Sequence, residues 1–369
     1  MKIAVLSSHT GSLFWFRMDM MKEFVMQGHT VVALGPEPEK DWETRFIKNN
    51  ICYKQIFVDR NGINPIGDLK TFRSINNFLK DQKPDKIFAY QAKTIIYGSF
   101  AANKNRITEF YPLIAGLGSI FRGNTLKCKI LKSVLTIQYK AAFKASKKVF
   151  FQNNDDKNEF VSKGLLKDNK IVVINGSGVN LNKFKPEPLP GTPVFLFIGR
   201  LIKDKGIIEY LEACKKIKVK HKEVRCLLVG PYDSNPSAIK AVDLEPFIES
   251  GIIEYFGEQE DVRPYLKECS VFVLPSYHEG TPKTVLEAMA TGRPIITSDA
   301  PGCRETVLNG YNGFLVKAKD IDALVEKMES LLEDKLMCKV MADNSLKLVR
   351  EKYDVKLVNK SIMETMGLV

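Results

Sequence analysis

Two glutamates eight residues apart stand in the string Leu274-Pro-Ser-Tyr-His-Glu-Gly-Thr-Pro-Lys-Thr-Val-Leu-Glu-Ala-Met-Ala-Thr-Gly-Arg-Pro294. The string reads strand, turn, helix, turn, strand. Glu279 falls in the first turn, Gly280 and Pro282 permit a tight entry into the helix, and Glu287 lies further along it. A helix start leaves backbone N–H groups without partners. Over 283–286, which includes Thr284, Val285 and Leu286, those amides suit an anion such as a diphosphate. A carboxylate at Glu287 can accept two hydrogen bonds from a ribose diol. The pattern is that of a phosphate site flanked by two sugar-binding carboxylates. A lone Glu-x7-Glu would read first as ordinary surface glutamates at a helix start, so it is the length of the string that carries the reading.

A second constellation is Phe197-Ile-Gly-Arg-Leu-Ile-Lys-Asp-Lys-Gly206. A strand ends at Gly199, and Arg200 and Lys205 bracket the loop that follows. Two cations at a strand end can neutralise a departing diphosphate, whereas Lys203 reads as a solvated loop charge. The third is the first strand–helix loop, Ser7-Ser-His-Thr-Gly-Ser12, where Gly11 would let the backbone approach a ligand. It lacks G-x-G-x-x-G, so a nicotinamide fingerprint is absent. His278 reads as a turn residue. Asp320-Ile-Asp322 has the spacing of a metal-binding pair, but it opens a helix from Asp320 to Leu332 and reads as its N-cap.

These residues require strands to aim them. Ile3–Leu6, Thr30–Leu34, Ile87–Ala89, Tyr111–Ile114, Val149–Phe151 and Ile171–Ile174 are short apolar runs, with a helix Phe16–Gln27 after the first. Such alternation predicts an α/β fold whose parallel sheet is covered on both faces. Lys185-Pro-Glu-Pro-Leu-Pro-Gly-Thr-Pro193 holds four prolines and reads as a linker. The pattern then restarts with Val194–Ile198, helix Ile207–Ile217, Arg225–Val229, Ile252–Phe256, Val271–Leu274, Pro294–Thr297 and Phe314–Val316. The expected organisation is a Rossmann-like domain over 1–184, a linker over 185–193, a second Rossmann-like domain over 194–345, and a helix over 346–369 that crosses back to the first. Two open sheets facing each other would form a cleft at their strand C-terminal ends.

Length and composition bound the alternatives. A chain of 369 residues is long for one core, and 44% hydrophobic with 27% charged residues is ordinary for a globular protein. Seven scattered cysteines without a C-x-x-C and four isolated histidines argue against a structural zinc site and for buried thiols in a reducing compartment. The uncharged stretch 3–16 is too short and polar to span a membrane, and its apolar run of four reads as a strand rather than a signal peptide. The expected location is therefore cytoplasmic. The net charge of +12 is uneven: residues 1–175 hold 28 basic against 15 acidic side chains, while 176–369 hold 27 against 28. Between Phe110 and Asn154 lie Arg122, Lys127, Lys129, Lys132, Lys140, Lys144, Lys147 and Lys148, with no acidic residue. Ile130, Leu131, Val134, Leu135 and Ile137 interleave with them. This is the pattern of a helix on an anionic membrane, or of a core helix with solvated lysines. A nucleic-acid binder is disfavoured, because zinc spacing, an RNP-like string and a basic tail are missing.

Together, these motifs resemble the family-4 retaining glycosyltransferases, which have the two-domain GT-B fold. Glu279 and Glu287 look like that family's E-x7-E motif, and Arg200 and Lys205 like its R-x4-K pair. Asn175-Gly-Ser-Gly-Val-Asn-Leu-Asn-Lys-Phe184 and Tyr311-Asn-Gly-Phe-Leu-Val316 are similar to two further family segments. In the first half, Gln91-Ala-Lys-Thr-Ile-Ile-Tyr-Gly98, Gly116-Leu-Gly-Ser-Ile-Phe121 and Asp59-Arg-Asn-Gly-Ile-Asn-Pro65 resemble the subgroup that builds lipid-linked glycans, capsule and O-antigen. Within it, the likeness is to enzymes that add an N-acetylhexosamine to an undecaprenyl-diphosphate sugar. Many family members carry a histidine near the reacting sugar; the corresponding stretch, Leu113-Ile-Ala-Gly-Leu-Gly118, has none.

The resemblance implies a UDP-sugar donor and an acceptor that is a lipid-diphosphate-linked saccharide, without a metal or other cofactor. Glu287 would hold the ribose, Glu279 the sugar hydroxyls near C3 and C4, and Arg200 and Lys205 the diphosphate. Amides at Thr284, Val285, Leu286 and Gly11 would complete the phosphate cradle. Arg17 and Arg60 are candidates for the acceptor diphosphate. Retention could use a carboxylate nucleophile and a covalent glycosyl intermediate; the resemblance implies instead same-face attack assisted by the leaving diphosphate, and Glu279 is not assigned as a nucleophile. The lipid acceptor favours the membrane reading of the basic stretch and a peripheral placement on the inner membrane face. The alternatives are a soluble oligosaccharide or polysaccharide acceptor, a hexose or hexuronic acid donor, or a nucleotide-sugar sensor without turnover.

Overall fold

A computed structural model describes residues 1–60, 64–116, 126–235 and 237–369, with the backbone alone for 126–129. The chain divides into two compact units, Met1–Ser177 with Val355–Val369, and Gly178–Asp354.

In the first unit, β1 (Lys2–Leu6), β2 (Thr30–Gly35), β3 (Cys52–Gln55), β4 (Lys86–Tyr90), β5 (Phe110–Ile114), β6 (Val149–Phe151) and β7 (Ile171–Val173) form a parallel sheet in the order β3-β2-β1-β4-β5-β6-β7. The helices are α1 (Thr10–Met26), α2 (Glu39–Ile47), α3 (Pro65–Gln82), α4 (Ala92–Lys104), α5 (Leu126–Ala145) and α6 (Asn154–Ser162). Val5 pairs with Ala33 on β2 and Phe88 on β4. Successive side chains enter opposite cores: Ala4, Leu6, Val32 and Ile87 on one face, Ile3, Val5, Val31 and Phe88 on the other. Burial on both faces is why these strands read as unbroken apolar runs.

Two features of this unit differ from the sequence reading. β3 was not expected, because Cys-Tyr-Lys-Gln is short and half polar. And α1 begins at Thr10 rather than Phe16, because His9 caps it: its Nδ1 accepts from the Ser12 N–H at 3.1 Å. Gly11 is therefore in a helical turn, not a loop, and a Cβ there would collide with the Trp15 and His9 rings. Trp15 in turn meets Trp42 edge-on at 6.1 Å, and Arg45 lies 5.4 Å over the Trp42 ring.

In the second unit, β8 (Val194–Ile198), β9 (Arg225–Val229), β10 (Glu254–Tyr255), β11 (Val271–Leu274), β12 (Ile295–Ser298) and β13 (Gly313–Val316) form a parallel sheet in the order β10-β9-β8-β11-β12-β13. Its helices are α7 (Ile207–Lys220), α8 (Ala241–Glu249), α9 (Arg263–Glu268), α10 (Lys283–Ala290), α11 (Ile321–Glu333) and α12 (Lys335–Leu348). After one π-helical turn, Val349–Tyr353, helix α13 (Val355–Met366) belongs to the first unit, where Ile362, Met363 and Met366 join the core of Ile3 and Val5.

The division between units does not coincide with the expected linker. It falls between Ser177 and Gly178, and the proline-rich 185–193 is part of the second unit. Prolines bar regular structure there, but their carbonyls remain good acceptors. The fully buried Arg293 donates from Nη1 to the Pro188 carbonyl and from Nε to that of Leu266, both at 3.0 Å. Glu187 donates its N–H to the Thr291 carbonyl at 3.1 Å. Likewise, 346–354 stay with the second unit and only Val355 onward returns.

Candidate functional site

Both sheets reverse their winding in the middle, between β1 and β4 and between β8 and β11. The crevice outside the carboxyl ends of such strands is where open α/β sheets bind ligands.

In the second unit, the two loops at that point are lashed together. After β8 come Gly199, Arg200 and a 3-10 turn, Lys203–Lys205. The loop from Pro275 follows β11 and leads into α10. The Tyr277 N–H donates to the Asp204 carbonyl at 2.9 Å, as does the Ser276 hydroxyl at 3.2 Å. Gly206 has φ 74°, and a Cβ on it would collide with the Pro275 carbonyl. The Glu279 N–H donates to the Pro301 carbonyl at 2.9 Å, while Gly302, at φ 77°, packs so closely on the Glu279 carbonyl that no Cβ fits. Only glycine meets both demands, left-handed φ and close approach. The result is that Lys205 Nζ donates to Glu279 Oε1, with side chains 20% and 11% exposed. The structure thus brings the Arg-x4-Lys loop and the first glutamate of the long string into direct contact.

Other members of the set sit around this pair. The half-exposed Arg200 donates from Nη1 to Asp233 Oδ2 at 2.8 Å. The Thr284 hydroxyl donates to the Ile198 carbonyl at 3.3 Å and so ties the start of α10 to the end of β8. The N–H groups of Val285 and Leu286 close on the Pro282 carbonyl at 3.1 and 3.3 Å. The amide cradle expected over 284–286 therefore narrows to its beginning at Thr284. Glu287, on α10, is 8% exposed; burial pushes its carboxyl up, opposed by Lys283 and Lys183 and reinforced by Asp261. Below the loop, the Tyr277 hydroxyl donates to Glu209 Oε1 at 2.5 Å, and burial against that carboxylate pushes the phenol up.

Chemically, this is a cluster with cations for phosphate oxygens, carboxylates for hydroxyl pairs and a helix start for an anion. Sequence reasoning missed Asp233, Glu209, Lys183 and Asp261. The first two act through contacts with Arg200 and Tyr277 distant in sequence, and only Lys183 fell in a segment singled out by its motif. Asp320 is the N-cap of α11, its Oδ1 accepting from the Ala323 N–H at 3.0 Å, and Asp322 pairs with Lys216. Among the described residues, no group of three His, Cys, Asp or Glu could hold a metal ion.

Gly11, Arg17 and Arg60 belong to the first unit. Arg17, on α1, is buried with its guanidinium 5.2 Å over the Tyr90 ring. α5 exposes Ile130, Val134 and Ile137, spaced for one helix face, beside the exposed Lys140 and Lys144; Tyr139, Ala142 and Phe143 are buried. Residues 117–121 of the Gly116–Phe121 segment, 61–63 of the Asp59–Pro65 segment, Arg122, and the side chains of Lys127 and Lys129 lie outside the described residues.

Comparison with known proteins bears on the family and the fold. Residues 179–348 match the family model described as glycosyl transferases group 1, and residues 2–153 match glycosyl transferase 4-like. The chain is 33% identical over 359 residues to the N,N'-diacetylbacillosaminyl-diphospho-undecaprenol alpha-1,3-N-acetylgalactosaminyltransferase of Campylobacter jejuni, covering 94% of this chain and 93% of that one. It is 29% identical over 313 residues to the UDP-Gal:alpha-D-GlcNAc-diphosphoundecaprenol alpha-1,3-galactosyltransferase of Escherichia coli, covering 81% and 79%. Among solved structures, Anabaena HepE in complex with UDP and glucose superposes with TM-score 0.78 at 17% identity over the full length of both chains. Sucrose-phosphate synthase from Thermosynechococcus elongatus gives 0.80 at 17%, covering 99% and 98%. The fold is therefore GT-B, each unit a Rossmann-like half. The chain is a glycosyltransferase and belongs to the group 1, glycosyl transferase 4-like family.

Proposed function

We propose that the chain transfers an N-acetylhexosamine from a UDP-sugar to the saccharide of an undecaprenyl-diphosphate lipid, with retention at the anomeric carbon and without a metal ion. The observation that carries this reading is the Lys205–Glu279 pair at the β8/β11 crevice, with Arg200 and the start of α10 beside it. The acceptor class is supported by the two relatives, whose names specify undecaprenol-diphosphate sugars. The UDP donor is supported by the second of these and by the UDP complex of HepE.

In the reaction, the bond from the donor's anomeric carbon to the β-phosphate oxygen breaks, and its electron pair leaves with UDP. Arg200 and Lys205 neutralise the charge that grows on that oxygen while the sugar passes through an oxocarbenium-like state. The acceptor hydroxyl oxygen bonds to the same face of the anomeric carbon, and its proton passes to the departing phosphate oxygen. Thr284 offers its amide to the diphosphate, Glu287 accepts from the ribose diol, and Glu279 accepts from the sugar hydroxyls.

No helix among the described residues is long and apolar enough to cross a membrane. The exposed Ile130, Val134 and Ile137 among lysines on α5 support docking on an anionic bilayer, where a prenyl-diphosphate acceptor presents its head. The deciding experiment incubates the full chain with a panel of UDP-sugars and a short prenyl-diphosphate sugar, with and without EDTA, and reads products by mass spectrometry. A single added N-acetylhexosamine, insensitive to EDTA and α-linked from an α-linked donor, is expected. Transfer only to soluble saccharides, or an inverted product, would overturn the reading.

A further inference from the structure

The first unit's own switch point, between β1 and β4, carries features that the donor site leaves unused. β4 ends at Tyr90, and the next residue, Gln91, has φ 75° although it bears a side chain. That conformation is held by its own amide. Gln91 Oε1 accepts from the Ser8 N–H at 2.8 Å, the Ser8 hydroxyl at 2.6 Å and the Ser7 hydroxyl at 2.9 Å. Backbone strain of this kind persists only where surrounding contacts over-determine it, and it gathers at ligand sites. The Tyr90 hydroxyl is 2.8 Å from that of Ser12.

Arg17 lies against this knot. It is 2% exposed, its guanidinium stacks on Tyr90, and its Nε has no hydrogen-bond partner among the described residues. Burial pushes its pKa down to about 10, and the one group opposing that is the Tyr90 phenol, not a carboxylate. A second cation, Arg60, also bears on the same phenol. The other deeply buried guanidinium among the described residues shows how the fold treats one that is purely structural: Arg293 donates to the carbonyls of Leu266, Pro188 and Lys267. A buried cation without such partners is costly in the folded protein, and a planar guanidinium is shaped to hold two phosphate oxygens at once.

If the donor's diphosphate is met by Arg200 and Lys205, the acceptor's diphosphate needs cations of its own. Resting on the acceptor reading above, we infer that Arg17 is the first unit's phosphate anchor, binding the diphosphate of the lipid-linked acceptor at the β1/β4 switch point, with the Ser8–Gln91 knot as its rigid wall.

The test uses the full chain, Arg17→Met, and two acceptors bearing the same sugar, one a short prenyl diphosphate and one a phosphate-free alkyl glycoside. Wild type should prefer the diphosphate acceptor at least a hundredfold in kcat/KM. Arg17→Met should shrink that preference at least tenfold through acceptor KM, with the UDP-sugar KM changed less than twofold. Its Tm should be unchanged or a few degrees higher, because a buried charge whose Nε has no partner among the described residues has been replaced by an apolar side chain of similar length. Equal loss on both acceptors with a lowered Tm would make Arg17 structural, and a raised UDP-sugar KM would assign the anion to the donor; either overturns the inference. Calorimetry with inorganic pyrophosphate at saturating UDP separates the two readings. Binding that is lost in Arg17→Met, in a wild type that does not distinguish the acceptors, keeps the anion site and overturns the acceptor reading. A wild-type preference that survives in Arg17→Met keeps the acceptor reading and overturns the anchor.

Discussion

Replacing Glu279 by glutamine keeps the shape of the β11–α10 loop and removes the charge that Lys205 faces. Breaking a fully buried ion pair by removing one partner costs about 3–5 kcal/mol, while an exposed pair contributes under about 1 kcal/mol. With side chains 20% and 11% exposed, the Lys205–Glu279 pair lies between these limits, at about 2 kcal/mol. For a domain of this size that is a fall in Tm of about 4–8 °C. Lys205→Met alone should cost a similar amount. The double variant should be more stable than the sum of the two by about 1–2 kcal/mol, because neither charge is left alone. Transfer behaves differently. Each single variant should lose about 100- to 1,000-fold in kcat, and the double variant should recover none of it, since in the proposed reaction each side chain meets substrate in its own right. Differential scanning calorimetry gives the first quantity and a mass-spectrometric transfer assay the second. A Glu279→Gln protein that loses stability but turns over normally would reduce the pair to a structural brace. One that loses neither would remove it from the site.

Other expectations follow from residues remote from that pair. Burial alone would raise the Glu109 carboxyl, but hydrogen bonds from Tyr111, Lys86 and Lys147 outweigh it and hold it at about 2, from an ordinary 4.5. A depressed carboxylate stabilises the fold above its unfolded pKa, so about 2 kcal/mol should be present at pH 7 and lost as pH falls from about 4.5 towards 2; urea titrations of wild type and Glu109→Gln should converge at low pH. Gly206→Ala forces a left-handed φ and a collision with the Pro275 carbonyl. It should cost about 2–4 kcal/mol and more than tenfold in transfer, read by calorimetry and the same assay; a neutral result would mean the two loops are not locked. Replacing Ile130, Val134 and Ile137 together by serine should abolish flotation with anionic liposomes at low salt while leaving Tm within about 2 °C, because exposed side chains contribute little to the fold.

Much of the frame was legible in the sequence, and the reason is local. Strands buried on both faces, such as Ile3–Leu6 and Val194–Ile198, announce themselves as apolar runs, and the Pro282–Glu287 helix start is written in consecutive residues. What was hidden depends on contacts that no window contains. Lys205 meets Glu279 across 74 residues, Arg200 meets Asp233 across 33, and Tyr277 meets Glu209 across 68. β3 was missed because its residues are half polar. The start of α1 was missed because Thr10-Gly11-Ser12 has poor helix propensity and a histidine supplies the cap. The proline-rich stretch was taken for a linker because composition shows that it cannot be regular, but not that Arg293, a hundred residues on, holds it down.

The two tryptophans of the chain, Trp15 and Trp42, touch one another in the first unit, and the second unit has none. Emission excited at the indole band therefore watches only one half of the molecule. A fluorescence melt of a Glu279 or Gly206 variant can look normal while the second unit has already come apart, and a shift on adding ligand reports events near α1 and α2. The same blindness is useful: the difference between a fluorescence melt and a calorimetric one separates the stabilities of the two units without cutting the chain.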